Sequence, residues 1–237
     1  MKTINNFIKI IIFLVVLNGG ILLITYVLTP KIPSFYREKH YDAVFFGTSQ
    51  SYCSFDPLIF DEYDLKTYNR GRQQQTMNYT YYYIKDALDV CDIDVVVLEV
   101  FGMFYEEADR GYKRWTESEV CVDDYWSIAF SEIRRDVYAG NIKYLDKIYE
   151  LCQKKGAKLI LVKAPLPCYD RVIEETNTVS DWAEEHDIEL INYMRLQDVL
   201  ELNFYTDSLD GGTHLNESGA GKVSKHLAAY LKENYFE

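Results

Sequence analysis

The sequence predicts an α/β protein in which helices cover both faces of a parallel sheet, with one transmembrane helix in front of it. Short apolar runs rich in β-branched residues alternate with segments of helical apolar spacing, and one long charge-free run precedes them all. Strands of a parallel sheet are buried on both faces, so their sequences are continuously apolar. When such strands alternate with helices, the sheet is typically parallel and ligands bind at the carboxyl ends of its strands.

The individual elements follow from these patterns. Strands are predicted at residues 41–46, 65–69, 92–100, 158–163 and 188–192. Helices are predicted at residues 77–90, 141–155, 179–186 and 221–235, where apolar residues recur at helical spacing. Gly156 lies where a glycine commonly ends a helix, just before the fourth strand.

The amino-terminal region differs in charge from the rest of the chain. The 237 residues carry a formal net charge of −12, whereas residues 1–40 hold five basic residues against one acidic residue, a net charge of +4. The remaining chain therefore carries −16. Such an acidic body lacks the positive surface that binds phosphates, so the sequence predicts no nucleic-acid partner.

Residues 10–28 contain no charged residue and are predicted to form a transmembrane signal anchor, because these 19 residues nearly match a hydrocarbon core of about 30 Å. Lys2 and Lys9 precede the run, which predicts a short cytoplasmic amino end at residues 1–9. Residues 29–40 are then predicted to form a linker, and residues 41–237 one extracytoplasmic domain. A cleaved secretory signal and a buried helix are the alternatives.

The cysteines predict neither a disulfide framework nor a zinc site. They are odd in number, widely spaced and without a Cys-x-x-Cys pair: Cys53, Cys91, Cys121, Cys152 and Cys168. An exported protein that relies on no disulfides suits a bacterial cell envelope.

Three polar segments carry the candidate chemistry, and the first two also have a plain structural explanation. Gly47-Thr48-Ser49 follows the first strand, where a serine can simply cap a helix. Asn69-Arg70-Gly71 follows the second strand, where the glycine either lets backbone N–H groups approach a ligand or serves a tight turn. The third segment, residues 207–216, is a glycine-rich loop that contains His214 and two aspartates.

A serine, a histidine and an aspartate are the parts of nucleophilic acyl chemistry. A serine hydroxyl is a poor nucleophile until an imidazole takes its proton, and the imidazole needs a carboxylate to orient it. His214 is the candidate base because it alone lies in a glycine-rich loop beside carboxylates. The other histidines lie near the predicted membrane segment, in a Glu-rich helix and on the last amphipathic helix: His40, His186 and His226.

In this order, the three segments resemble the first, second and last sequence blocks of the SGNH hydrolases, also called GDSL-like esterases. The matching residues are Phe46-Gly47-Thr48-Ser49, Asn69-Arg70-Gly71 and Asp210-Gly211-Gly212-Thr213-His214-Leu215-Asn216. The anchored topology is similar to the extracytoplasmic branch that includes the D-alanyl transfer protein of teichoic-acid modification and polysaccharide O-acetyltransferases. The resemblance implies a three-layer α/β/α, flavodoxin-like fold, and no cofactor is expected.

Residue by residue, the resemblance implies that Ser49 is the nucleophile, His214 the base and Asp210 the orienting acid. Asp207 is the alternative acid, because the family places Asp three residues before His, where this chain has a glycine. The Ser49 and Gly71 N–H groups would form the oxyanion hole. The third block of the family, Gly-x-Asn-Asp, is missing; Glu99 follows the third strand instead and cannot donate a hydrogen bond when ionised.

Two functions are compatible with these residues. The first is a membrane-anchored serine esterase or O-acyltransferase that acts on acetyl or D-alanyl groups of an envelope polysaccharide or teichoic-acid-like polymer. Arg70 and Arg72 would bind an anionic substrate, unless they only balance the acidic body. The second is a non-catalytic module that keeps the fold and binds a glycan or an integral-membrane acyltransferase. The missing Asn and the displaced Asp motivate this second hypothesis.

Overall fold

The computed structural model describes residues 2–28, 34–105, 130–166, 170–209 and 213–236. The chain divides into two compact units, Met1–Glu38 and Lys39–Glu237. In the first unit, helix α1 spans Lys2–Leu28 and a 3₁₀ helix spans Ser34–Arg37. The predicted transmembrane segment lies within α1, but among the described residues no helix is both long enough and apolar enough to cross a membrane.

The second unit contains a five-stranded sheet in which all neighbouring strands are parallel, in the order β2-β1-β3-β4-β5. The strands are β1 (His40–Phe46), β2 (Thr67–Asn69), β3 (Asp92–Glu99), β4 (Lys158–Lys163) and β5 (Leu190–Asn192). This confirms the α/β class and the five predicted strands, of which β2 and β5 are shorter than predicted.

Helices connect the strands, and three of them, α5, α6 and α8, begin earlier than their predicted bounds. They are α2 (Ser49–Ser54), α3 (Pro57–Asp61), α4 (Met77–Val90), α5 (Ala139–Lys155), α6 (Asp170–Glu185), α7 (Phe204–Asp207) and α8 (Glu217–Tyr235). Helix α6 begins at Asp170 rather than at residue 179. Helix α8 begins at Glu217 because the Asn216 side chain caps it by accepting the Gly219 N–H. Gly156 ends α5 with a φ of +75°, as predicted.

The direction of each crossover places helices on both faces of the sheet. The chain moves from β1 towards one edge to reach β2, and then moves towards the other edge through β3, β4 and β5. Because parallel crossovers are right-handed, the two directions place their helices on opposite faces. Helices α2 and α3 therefore pack on one face with α8, whereas α4 and α5 pack together on the other. The domain has three layers, α/β/α.

The centre of the sheet is fully buried. The strand residues with no exposed surface include Val44, Phe45, Phe46, Val96, Val97, Leu98, Ile160 and Leu161. The strand register pairs Phe46 with Leu98, and Glu99 with Val162. The carboxyl ends of β1, β3 and β4 therefore meet at one edge of the sheet, where a parallel α/β fold binds its ligands.

Candidate active site

Residues 47–51, which join β1 to the first turn of α2, contain the candidate nucleophile Ser49 and are called the nucleophile turn. Thr48 is the N-cap of α2, and its Oγ1 accepts the backbone N–H of Gln50 at 3.2 Å. Ser49 is therefore the first residue of the helix and not its cap. Because threonine caps the helix, the Ser49 hydroxyl remains available for another partner.

Only glycine fits at the start of this turn. Gly47 has a φ of +136°, which side-chain-bearing residues rarely adopt. A Cβ at this position would lie 2.7 Å from the Glu99 carbonyl oxygen and 2.9 Å from the Glu99 Cβ. The turn therefore lies directly against the end of β3.

The candidate base, His214, lies on a small hairpin, the histidine hairpin, which consists of β6 (Ser208–Leu209) and β7 (His214–Leu215). His214 Nε2 lies 2.8 Å from Ser49 Oγ, and both residues are partly exposed. The other ring nitrogen, Nδ1, lies 3.3 Å from Thr213 Oγ1. The fold thus brings together two side chains that are 165 positions apart in the sequence.

A contact that the sequence analysis missed joins the nucleophile turn to this hairpin. The Gln50 side chain is buried, and its Nε2 donates to the Thr213 carbonyl oxygen at 2.6 Å. Gln50 directly follows Ser49, and Thr213 directly precedes His214. One hydrogen bond therefore links the backbone beside the candidate base to the residue beside the candidate nucleophile. A single glutamine offers no pattern from which this contact could have been predicted.

The acid of the predicted triad remains a prediction. Asp210 lies outside the described residues. The alternative, Asp207, is buried and accepts hydrogen bonds from the Asn203 N–H at 2.8 Å and the Ser218 hydroxyl at 2.7 Å, and pairs with the Lys222 ammonium at 2.8 Å. Within the described part of the chain, His214 is not among its partners. Asp207 therefore ties α7 to α8.

Asn69, at the end of β2 and in the second sequence block, stabilises the nucleophile turn through hydrogen bonds. Asn69 Nδ2 donates to the carbonyl oxygens of Ser51 and Phe55, and its Oδ1 accepts the Gly71 N–H at 2.9 Å. A Cβ at Gly71 would lie 2.7 Å from Ser51 Cβ, so a glycine permits this close packing.

This geometry differs from the predicted oxyanion hole, in which Gly71 donates to the substrate. The Gly71 N–H is occupied by Asn69 Oδ1 because the asparagine side chain folds back two residues along its own chain. The Ser49 N–H, in contrast, has no acceptor among the described residues. Of the two predicted donors, the Ser49 N–H therefore has no competing acceptor among the described residues, whereas the Gly71 N–H would have to leave Asn69 to bind an oxyanion.

The two arginines beside this block differ in exposure. The Arg70 guanidinium pairs with Asp86 at 3.0 Å, lies 5.3 Å from the centre of the Tyr83 ring, and leaves only 11% of its side chain exposed. Arg72 is exposed and lies 4.9 Å from the same ring. The Arg72 N–H also donates to the Gly47 carbonyl oxygen at 3.0 Å. Of the two predicted substrate-binding residues, Arg72 is the more accessible.

Glu99 and Lys163 form a charged pair at the end of β3, where the resemblance to SGNH hydrolases implies the Gly-x-Asn-Asp block. Glu99 ends β3 and Lys163 ends β4, and both side chains are completely buried. Burial raises the pKa of the Glu99 carboxyl, and this rise is opposed by Lys163 and by hydrogen bonds from the Phe101 N–H and the Thr48 hydroxyl. Glu99, rather than the amide of the missing third block, therefore lies under the nucleophile turn, as the sequence indicated.

Among the described residues, the one group with potential metal-ligand geometry lies elsewhere. His40, Asp42 and Asp94 bring their ligand atoms within 4.8 Å of one another, and His40 and Asp94 are exposed. They lie near the amino ends of β1 and β3, at the opposite edge of the sheet from Ser49. This group therefore takes no part in the candidate site.

No family model matches the chain, and no curated protein matches its sequence. Solved structures share the fold. A GDSL-like lipase from Bacteroides thetaiotaomicron has a TM-score of 0.51 and 13% identity, over 91% of this chain and 97% of that one.

Two further solved structures agree with this likeness. A lipase/acylhydrolase from Enterococcus faecalis has a TM-score of 0.53 and 15% identity, over 83% of this chain and 96% of that one. A psychrotrophic esterase from Pseudoalteromonas, inhibited by monoethylphosphonate, has a TM-score of 0.53 and 12% identity, over 81% and 97% of the two chains. At these identities the likeness concerns the fold.

Proposed function

We propose that this chain is a serine acyl hydrolase or acyltransferase of the SGNH type. The observation that carries this proposal is the 2.8 Å distance between Ser49 Oγ and His214 Nε2 at the carboxyl edge of the sheet. A serine hydroxyl within hydrogen-bond reach of an imidazole can be activated as a nucleophile. The fold shared with lipases and esterases supports the same reaction class.

The reaction follows from this pair. Ser49 Oγ attacks the carbonyl carbon of an ester while His214 Nε2 takes the hydroxyl proton. The Ser49 N–H is available to stabilise the developing oxyanion. His214 then gives its proton to the leaving alcohol, and an acyl-enzyme remains on Ser49. Water or a sugar hydroxyl attacks this acyl group while His214 takes the proton of the attacking group. The bond between Ser49 Oγ and the acyl carbon then breaks, and His214 returns the proton to Oγ.

The orienting acid in this proposal is Asp210. It lies four residues before His214, and the competing Asp207 is occupied by Asn203, Ser218 and Lys222. A carboxylate beside Nδ1 would hold the tautomer in which Nε2 can accept a proton, and would stabilise the imidazolium that forms.

For the substrate, we propose an acetyl or D-alanyl ester on an envelope polysaccharide or a teichoic-acid-like polymer. The exposed Arg72 beside the nucleophile turn supports an anionic substrate, because an acidic domain needs a local positive group to bind one.

The proposed extracytoplasmic location rests on the sequence alone, on the charge-free run at residues 10–28 and the positive residues before it. A reporter fused after Glu237 should then be active outside the cytoplasm and inactive within it.

A second function is favoured by two specific observations. The Gly71 N–H donates to Asn69, and Glu99 stands where the family has an amide donor. A site with fewer oxyanion donors would suit a non-catalytic module that binds a glycan or an integral-membrane acyltransferase.

One experiment separates the two functions. The full-length chain is incubated with a fluorophosphonate probe and with p-nitrophenyl acetate, alongside Ser49→Ala and His214→Ala. We expect labelling at Ser49 and a loss of hydrolysis of at least about a thousandfold in both variants. His40→Ala is the matched control, since this exposed histidine pairs with Asp94 far from Ser49, and it should retain full activity. An unlabelled Ser49, with both variants equal to the parent, would favour the binding module.

A further inference from the structure

Two opposite charges are completely buried beneath the nucleophile turn. Glu99 and Lys163 are the last residues of the neighbouring strands β3 and β4, and neither side chain has any exposed surface. Glu99 Oε1 lies 3.7 Å from Lys163 Nζ. Removing two charges from water is costly, and a buried ion pair is often no more stabilising than an apolar pair of similar volume. Stability alone is therefore a weak explanation for this pair.

Hydrogen bonds hold both charged groups in defined positions. Glu99 Oε1 accepts the Phe101 N–H at 3.1 Å. Lys163 Nζ donates to the Ala164 carbonyl oxygen at 2.7 Å and lies 5.2 Å from the centre of the Phe101 ring. Since each group has partners besides the other, the pair is a rigid, nearly neutral unit rather than two mobile side chains.

The second oxygen of Glu99 reaches the nucleophile turn. Oε2 accepts the Thr48 hydroxyl at 3.2 Å, and the same hydroxyl oxygen accepts the Gln50 N–H. The carboxylate is thus connected through one side chain to the residues on both sides of Ser49. The backbone of Glu99 also lies against Gly47, where no Cβ could fit.

We propose that Glu99, held in place by Lys163, is a positioning residue that fixes the nucleophile turn so that Ser49 Oγ faces His214 Nε2. This inference rests on the proposed function. Glu99 acts through Thr48 and does not touch the substrate. Lys163 has a second effect, because its positive charge offsets a carboxylate that would otherwise oppose the negative charge developing beside Ser49.

The deciding variants change the Thr48 hydroxyl. Removing Lys163 alone would leave a buried carboxylate without its partner charge and would destabilise the whole domain, so it cannot isolate the effect. Thr48→Val keeps the shape of the side chain but removes the hydroxyl, whereas Thr48→Ser keeps the hydroxyl. Thr67→Val is the matched control, since the buried Thr67 hydroxyl has no hydrogen-bond partner among the described residues.

The first measurement compares these variants in p-nitrophenyl acetate hydrolysis and fluorophosphonate labelling. We expect Thr48→Val to lower kcat and the labelling rate about ten- to hundredfold with KM changed less than about twofold, since small displacements of reacting groups have effects of this size. Thr48→Ser and Thr67→Val should stay close to the parent. If Thr48→Val keeps the parent kcat, or Thr48→Ser loses as much as Thr48→Val, the positioning role is wrong.

The second measurement is the ¹⁵N NMR shift of the His214 imidazole, which reports its hydrogen bond to Ser49 without any substrate. Thr48→Val should move this resonance, and Thr48→Ser and Thr67→Val should not. An inert parent protein whose His214 resonance still moves in Thr48→Val would overturn the proposed function but leave the positioning role intact. An unchanged resonance in Thr48→Val would overturn the positioning role, whatever the activity.

Discussion

The two halves of the Ser49–His214 pair are held in different ways. The nucleophile turn is buried except at Ser49, and it packs on the ends of central strands through Gly47 and Thr48. The histidine hairpin has only two residues in each strand, and Leu209, opposite His214, is 52% exposed. The candidate nucleophile is therefore positioned by the core of the domain, whereas the candidate base lies on a short hairpin that is partly exposed.

This difference has a physical consequence for the site. Buried, close-packed segments have few alternative arrangements, whereas exposed segments with few apolar contacts open at lower free energy. The position of His214 should therefore be more sensitive to the loss of single polar contacts. The position of Ser49 should be more sensitive to changes in packing volume.

The largest effect is expected from Gly47→Ala. The new Cβ would be strained at a φ of +136° and would lie 2.7 Å from the Glu99 carbonyl oxygen. We expect a loss of about 3–5 kcal/mol in the free energy of unfolding, measured by urea denaturation. Gly156→Ala is the control, because Gly156 also has a positive φ but no atom lies within 4 Å of the added Cβ. Equal losses in the two variants would show that packing against β3 is unimportant.

A smaller effect, on activity, is expected from Gln50→Leu. This variant removes the hydrogen bond to the Thr213 carbonyl oxygen and hence the link between the two halves. We expect Ser49 labelling by a fluorophosphonate to slow about tenfold, the equivalent of one lost hydrogen bond of about 1.4 kcal/mol. Folding stability should change little, because Gln50 Oε1 has no partner among the described residues and is removed as well. Gln73→Leu, at an exposed position, should label at the parent rate; a similar slowing there would count against the link.

The smallest effect, on folding stability, is expected from Asp207→Asn, directly before the first strand of the histidine hairpin. Burial alone would raise the pKa of Asp207, but the Asn203 N–H, Lys222 and the Ser218 hydroxyl outweigh it and lower the pKa below its ordinary value of 3.8. A lowered pKa in the folded state favours folding above the ordinary value, and this contribution is lost as the pH falls through the folded-state pKa.

The variant should therefore be less stable by on the order of 1 kcal/mol at about pH 7, and this difference should shrink below about pH 4. Urea denaturation at several pH values measures it. Asp198→Asn is the control, because Asp198 is exposed and its side chain makes no hydrogen bond or ion pair among the described residues. A difference that stays constant from neutral to acidic pH would contradict the assigned role of Asp207.

Much of the fold could be predicted from local sequence patterns. The apolar run of β4 and the amphipathic repeat of α4 have the predicted bounds, because burial on both faces and helical periodicity are both visible within one segment. The boundaries of α6 and α8 were less accurate. The Asn216 cap that starts α8 depends on a side-chain hydrogen bond that competes with other local conformations.

The candidate site was predicted less completely. Ser49 and His214 could be chosen because a serine after a strand and a histidine in a glycine-rich loop are visible as local motifs. The hydrogen bond from the Gly71 N–H to the Asn69 side chain was not predicted, although the two residues are close in the sequence. Gln50 and Lys163 were missed because neither belongs to a motif, and their partners lie far away in the sequence.

The sequence by itself determined the α/β class, the order of the strands along the chain and the identity of the candidate nucleophile and base. These depend on residue types at short spacing. Only the tertiary structure decided that Gln50 links the two halves of the pair and that a buried charged pair lies under the turn. These contacts depend on sheet order and register, which bring distant residues to one edge and which no local pattern encodes.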